Sequence, residues 1–246
     1  FVYLRLAGDD NTVFDGQVQV LEAAGHPVIW IEMDELEDIG QELFRWEMAT
    51  AAAGAILKIN PFDQPNVELA KSKARELMAE FEKSGALPGE APTLDFDDID
   101  AYGSAVGSTV TEALRAFLTT FRLGDYVAIM AYLPYNPEID AALNDLRLSL
   151  RTGLRAATTV GYGPRFLHST GQLHKGDGNN GLFIQITHTP TAAVEIPGER
   201  YDFATLVAAQ AQGDYKALRQ SERRLIRFHI EAGQDLATAI RKLIPA

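Results

Sequence analysis

Cysteine is absent from all 246 residues. Its absence excludes a disulfide framework and any thiolate metal site, and suits a reducing compartment, so the sequence reads as cytoplasmic. Long apolar runs are missing too. None approaches the ~20 residues that a membrane span requires, and the start of the chain lacks the basic-then-apolar layout of a signal peptide. No membrane is expected among its partners. Positive charge is scarce: 22 Lys and Arg stand against 34 Asp and Glu, a formal charge of −12. Nucleic-acid binders draw their affinity from clustered cations, so nucleic acid is not an expected partner either. A phosphorylated metabolite remains compatible, because a few local cations and helix N-termini suffice to hold one. The five histidines show no H-x-x-x-H spacing, so no metal is expected, and nothing points to another cofactor. An initiating methionine is also missing. Phe1 already opens onto the apolar V-Y-L-R-L, and the chain is read as a fragment of a longer protein.

What is present is enough apolar content, 46%, to fill a sizeable core. The residues predict a strand over 26–33, a helix over 39–53 ended by Gly54, a short strand A-I-L-K-I-N over 55–60 and a helix over 65–83. Strand and helix in alternation imply an α/β fold. From 84 to 108 the text is rich in Gly, Pro, Ser and acid without a helical period, and is read as a linker joining 1–83 to 109–246 within one domain spanning 1–246. Beyond it a helix (109–121), a strand (125–133), a helix (137–150) and a strand (154–160) are expected. Two further strands (182–187 and 192–196) and helices near 203–219 and 233–243 close the chain.

The densest chemistry lies in I-N-P-F-D-Q-P-N-V-E-L-A-K, residues 59 to 71. Pro65 suits the first position of a helix and Asp63 or Gln64 its cap. Gln64, Glu68, Lys71 and Arg75, spaced 4, 3 and 4, share one polar face beyond a strand end, where open α/β sheets place their ligands. The same spacing is equally that of a solvated face with a Glu68–Lys71 pair.

This stretch resembles the signature of the glucose-6-phosphate isomerases, and the preceding F-R-W-E-M-A-T-A-A-A-G-A-I-L resembles that family too. In the family the lysine and the glutamine reach the sugar phosphate, which the resemblance carries to Lys71 and Gln64. A second stretch, F-L-H-S-T-G-Q-L-H-K-G over 166–176, is similar to a segment of the shorter bacterial isomerases whose histidine opens the pyranose ring. That implies His168 as a catalytic acid–base, with Gln172 of the same segment on the substrate. Taken alone, His168 is a weak cue and His174 a weaker one. F-V-Y-L-R-L, T-V-G-Y-G-P-R and G-L-F-I-Q-I-T look like the isomerase portion of transaldolase-fused isomerases, a likeness that covers nearly the whole chain. It implies a parallel sheet flanked by helices, a sugar-isomerase (SIS) domain that is the second of a pair. It also implies upstream SIS and transaldolase domains as partners, with activity requiring the upstream half; a homo-oligomer is compatible with it.

Two departures qualify the resemblance. The two motif segments stand in the reverse of the family's order, which suggests a permuted connection with 84–108 as one join. Aldose–ketose isomerisation also needs a carboxylate to move a proton between C1 and C2. Where the family's loop supplies Glu, this chain has Tyr162 in G-Y-G-P. Glu138, in L-P-Y-N-P-E, is the nearest substitute, although a carboxylate in the first turn of a helix is equally explained by the helix dipole. Arg165 is a candidate for the phosphate. The alternative to an isomerase is a non-catalytic SIS module that binds a sugar phosphate.

Overall fold

The computed structural model describes residues 1–63, 65–192 and 194–245. The chain divides into two compact units, Phe1–Asp63 and Gln64–Ala246. In the first, β1 (Val2–Leu6) and β2 (Ile29–Met33) pair in parallel, Val2 opposite Ile29 and Leu6 opposite Met33, around the crossover helix α1 (Thr12–Ala23). Asp15 of α1 accepts hydrogen bonds from Tyr3 Oη at 2.9 Å and Arg5 Nε at 3.2 Å, which fixes α1 against β1. Helix α2 (Ile39–Leu57) follows. It runs through Gly54 and occupies much of the segment expected as a strand over 55–60. The run A-T-A-A-A-G-A-I-L is rich in the best helix formers, and Gly54 serves a different purpose from ending the helix. A Cβ there would come within 2.5 Å of Pro61 Cδ, so the glycine lets the chain fold back beneath it. Lys58, at φ +57°, closes the helix in the left-handed region.

Among the described residues of this unit only Met33, Glu42 and Gly54 are buried, while Phe14, Leu43, Phe44 and Trp46 stand exposed. Cooperative stability follows buried apolar area, so this unit is expected to unfold first. Both tryptophans of the chain, Trp30 and Trp46, lie in it. In a urea titration the tryptophan emission should therefore change before the far-ultraviolet circular dichroism, by roughly 1 M or more. Coincident curves would show one cooperative unit instead.

The second unit begins with α3 (Pro65–Ser84). It then builds a six-stranded sheet in the order β3-β4-β8-β7-β5-β6 from β3 (Leu94–Asp95), β4 (Ile99–Gly103), β5 (Tyr126–Tyr132), β6 (Ala157–Tyr162), β7 (Gly181–His188) and β8 (Arg224–Ile230). β5 to β8 are mutually parallel; β4 runs against β8, and β3 against β4. The unit is thus α/β with a mostly parallel sheet flanked by helices. Helices α4 (Val110–Leu118), α5 (Pro137–Leu154) and α8 (Leu236–Lys242) cover one face, burying Leu114, Phe117, Leu143, Leu146 and Ile240 with Val127, Ile129, Ile184 and Phe228 of the strands. Helix α7 (Phe203–Gln220) covers the other, where Tyr215 and Leu218 meet Met130, Phe183 and Leu225. Helix α3 crosses α7 at Gly213, where a Cβ would sit 2.8 Å from Ala74 N.

Two expectations change here, and one strand is added. Residues 84–108 do not form a simple linker, because β3 and β4 lie within them and extend the sheet by an antiparallel edge. These acidic strands, of two and five residues, carry too short a pattern to stand out from loop composition. Among the described residues of the strand expected over 192–196, only a single bridge forms, between Glu195 and Asp202. β8 is not among the strands expected from the sequence, although Ile226, Phe228 and Ile230 alternate with Arg227 and His229 at the period of a strand and bury one complete face. Among the described residues no helix is long and apolar enough to cross a membrane.

Candidate functional site

Helix α3 starts with Pro65, whose missing N–H costs nothing at that position. The next residue's orphan donor finds a distant partner: Asn66 N–H donates to Gln172 Oε1 at 3.0 Å, across 106 residues of sequence. Gln172 belongs to the short helix α6 (Gly171–Gly176), which follows the 3-10 turn Arg165–His168 after β6. Gly176 permits the approach, since a Cβ there would lie 2.8 Å from Asn66 Nδ2 and 2.9 Å from Gln172 Nε2. The two segments that the sequence singled out are thereby tied to each other. The bond also changes the reading of Gln172, whose carbonyl caps α3 and which does not line the cavity described next.

Beside this junction a cavity of about 500 Å³ opens between α3, the turn ending in His168 and the first half of α7. Lys71, Arg75, His168 and Gln210 supply its polar lining, Glu82 its carboxylate, and Met78, Leu167 and Leu206 its apolar wall. That volume falls in the range of small-ligand sites. Of the polar face of α3 expected from the 4, 3, 4 spacing, the described members Glu68, Lys71 and Arg75 lie together. Lys71 Nζ donates to Glu68 Oε1 at 2.9 Å, half exposed, and Arg75 Nη2 lies 3.9 Å from the other oxygen. The hydrogen bond from Lys71 holds the Glu68 carboxyl below its ordinary range. Lys71 therefore has both the surface pair and a place on the cavity.

Beneath the cavity lies an ion pair that no signal in the sequence marks. Lys175 Nζ and Asp214 Oδ1 are 2.5 Å apart, both side chains fully buried. Tyr132 Oη donates to Asp214 Oδ2 at 3.3 Å, and burial, then the neighbouring carboxylate, pushes that phenol well above its usual range. His174 is buried between Phe166 and Phe183, with ring centroids at 5.8 and 5.0 Å. Burial pulls its pKa down to about 4, which makes it a neutral packing residue. Lys175 and Asp214 are single charges on different elements, and no spacing links them.

The remaining candidates lie elsewhere. Glu138 sits in the first turn of α5, its N–H donating to the Asn136 cap at 2.7 Å, in a separate depression with Asp235 and Arg241. It does not join Lys71 and His168, so the helix-start explanation is the one the structure favours. Tyr162, which the resemblance sets where a Glu is expected, donates to Asp140 Oδ1 at 3.3 Å; burial, with Asp140 beside it, raises its pKa to about 12. Arg165 opens its turn exposed and does not line the cavity. Gln64 lies outside the described residues. Among those described, no three His, Asp or Glu side chains gather as a metal ion would need.

No family model matches the chain. Curated proteins match short stretches of it. The glucose-6-phosphate isomerase of Mesoplasma florum is 33% identical over 72 residues, 28% of this chain and 17% of that protein. A probable glucose-6-phosphate isomerase of Natronomonas pharaonis is 37% identical over 78 residues, 30% of this chain and 18% of that protein. The matched stretch thus spans under a fifth of either relative's length. Among solved structures, a hypothetical protein from Thermus thermophilus aligns over 93% of this chain and 52% of its own, with TM-score 0.42 and 14% identity. Under a third of the chain is therefore related in sequence to glucose-6-phosphate isomerases.

Proposed function

We propose that the protein carrying this chain interconverts glucose 6-phosphate and fructose 6-phosphate, with this chain as a sugar-isomerase domain whose motif segments are joined in permuted order. One observation carries the reading: Lys71 and His168, far apart in sequence, line one cavity beside a hydrogen bond that ties their segments together. The reaction needs an acid–base at the ring oxygen, a carboxylate for the proton moving between C1 and C2, and positive charge at the developing enediolate oxygen. His168 takes the first role and Lys71 the third. The lining's carboxylate, Glu82, stands about three turns of α3 away from Lys71, so in this reading the proton-moving carboxylate comes from the upstream domain, and Arg75 faces the phosphate. The sugar phosphate and an upstream sugar-isomerase domain are the partners in this reading, and an upstream transaldolase domain belongs to it as well.

A second reading, a non-catalytic module that binds a sugar phosphate, is favoured by Tyr162, which stands where the family has its base and is bonded to Asp140. A coupled assay of fructose 6-phosphate conversion by the protein carrying this chain separates the two. Turnover that falls by about 10²- to 10⁴-fold in His168→Gln supports the isomerase. Binding of fructose 6-phosphate without turnover in the unaltered protein supports the module.

A further inference from the structure

A larger cavity, of about 690 Å³, shares no lining residue with the one at Lys71 and His168 and lies at the carboxyl ends of β5, β7 and β8. From β5 the chain adds β6 on one side, then returns to place β7 on the other. The crevice therefore sits where the strand order reverses, the position at which open α/β sheets hold their ligands. Its floor carries Arg227, 8% exposed. The guanidinium lies 3.8 Å from the ring centre of Tyr102, its cross-strand partner, and 4.4 Å from that of Tyr215. Those two faces offset part of its desolvation, but they use none of its five N–H donors.

Arg227 makes no side-chain hydrogen bond to any described residue. Its nearest carboxylate, Glu90, stands 3.9 Å away and is held by Arg219 at 2.8 Å. Nε is buried and unpaired, as is Oε1 of Gln185, the register neighbour on β7. Even if those two closed on each other, the terminal amino groups would keep four donors for a planar, bidentate partner.

Further along β8, His229 joins two hydroxyls of the crevice: Nδ1 is 2.8 Å from Thr187 Oγ1, and Nε2 is 2.9 Å from Thr189 Oγ1. Burial, then the charge of Arg227, lowers the pKa of His229, favouring the neutral ring. A neutral imidazole donates through one nitrogen and accepts through the other. One threonine then keeps its O–H free to donate, while the other keeps lone pairs free to accept. A hydroxyl-bearing ligand satisfies both. With one arginine set against the carboxylates of Glu90 and Glu231 on the lining, the charge suits a monoanion rather than a phosphate dianion.

We propose that this crevice is a second ligand site, which binds a small hydroxylated monocarboxylate with its carboxylate on Arg227 and its hydroxyls on Thr187 and Thr189. The test is calorimetric titration of the whole protein with glycerate, propionate, glycerol and inorganic phosphate. Glycerate should bind with a dissociation constant of ~1 mM or tighter. Propionate, which lacks the hydroxyls, and glycerol, which lacks the carboxylate, should each bind about tenfold more weakly or worse. Arg227→Met should weaken glycerate at least tenfold. The paired Thr187→Val and Thr189→Val change keeps shape and should bring glycerate down to the propionate level, so the idea stays testable if Arg227→Met fails to fold. Lys71→Met should leave glycerate affinity unchanged, which separates this site from the cavity of the proposed isomerase. No glycerate binding at 10 mM, roughly a tenfold excess over the expected constant, would overturn the proposal. So would unchanged affinity in the threonine pair, or phosphate binding more tightly than glycerate.

Discussion

Asp214→Ala is expected to destabilise the Gln64–Ala246 unit by about 3–5 kcal/mol, the cost of leaving one member of a buried ion pair without the other. Lys175 and Asp214 have no exposed side-chain surface, so water cannot replace the lost carboxylate at the ammonium. Tyr132 would lose its acceptor in the same step. For a unit of this size the change corresponds to a fall in melting temperature of roughly 6–20 °C. Substituting both partners with apolar residues of similar volume, Lys175→Met with Asp214→Leu, should recover most of that loss, because the attraction of a buried pair scarcely exceeds its desolvation cost. Thermal denaturation followed by circular dichroism checks both changes. A loss of under about 1 kcal/mol for Asp214→Ala would mean that solvent reaches the pair. The measurement bears on the candidate site as well, since Lys175 lies in α6, which follows the turn that presents His168.

Some of the fold is legible in the sequence because local signals agree with tertiary demand. α5 can be read from L-P-Y-N-P-E, where Asn136 Oδ1 accepts from the N–H groups of Glu138 and Ile139 at 2.7 and 3.3 Å. β5 and β7 can be read as apolar runs buried on both faces. The local rules fail where a long-range contact overrides them. Gly54 reads as a stop and is instead a clearance for Pro61. Arg227 and His229 of β8 find their partners far away in sequence, in two tyrosine rings of β4 and α7 and two threonines at and just beyond the end of β7. The motifs point to Lys71 and His168, but Gln172, a substrate contact by resemblance, caps a helix 106 residues upstream. Lys175, Asp214 and Arg227 carry no spacing that links them to a site; packing between elements far apart in sequence brings them to the places where they matter.

Lys71→Met is the substitution on which the isomerase reading turns, because Lys71 has two descriptions that predict different outcomes. As a surface ion pair with Glu68, 49% and 61% exposed, it contributes only a few tenths of a kcal/mol to stability. Methionine keeps the length and packing of the stem, so the melting temperature should hardly move under either description. As the cation beside the reacting carbons, it stabilises negative charge that exists only on the way through the enediolate. A preorganised partner of that kind is worth about 3 kcal/mol, or ~10²-fold in rate. The expected result is therefore a kcat for fructose 6-phosphate conversion down about a hundredfold, with the melting temperature within a degree or two of the unaltered protein. Lys71→Arg gives a second check: it keeps the charge and the Glu68 pair but spreads the cation over a planar fork, and should leave stability unchanged without restoring rate. Unchanged turnover in Lys71→Met would assign Lys71 to the solvated face of α3 alone and remove it from the chemistry.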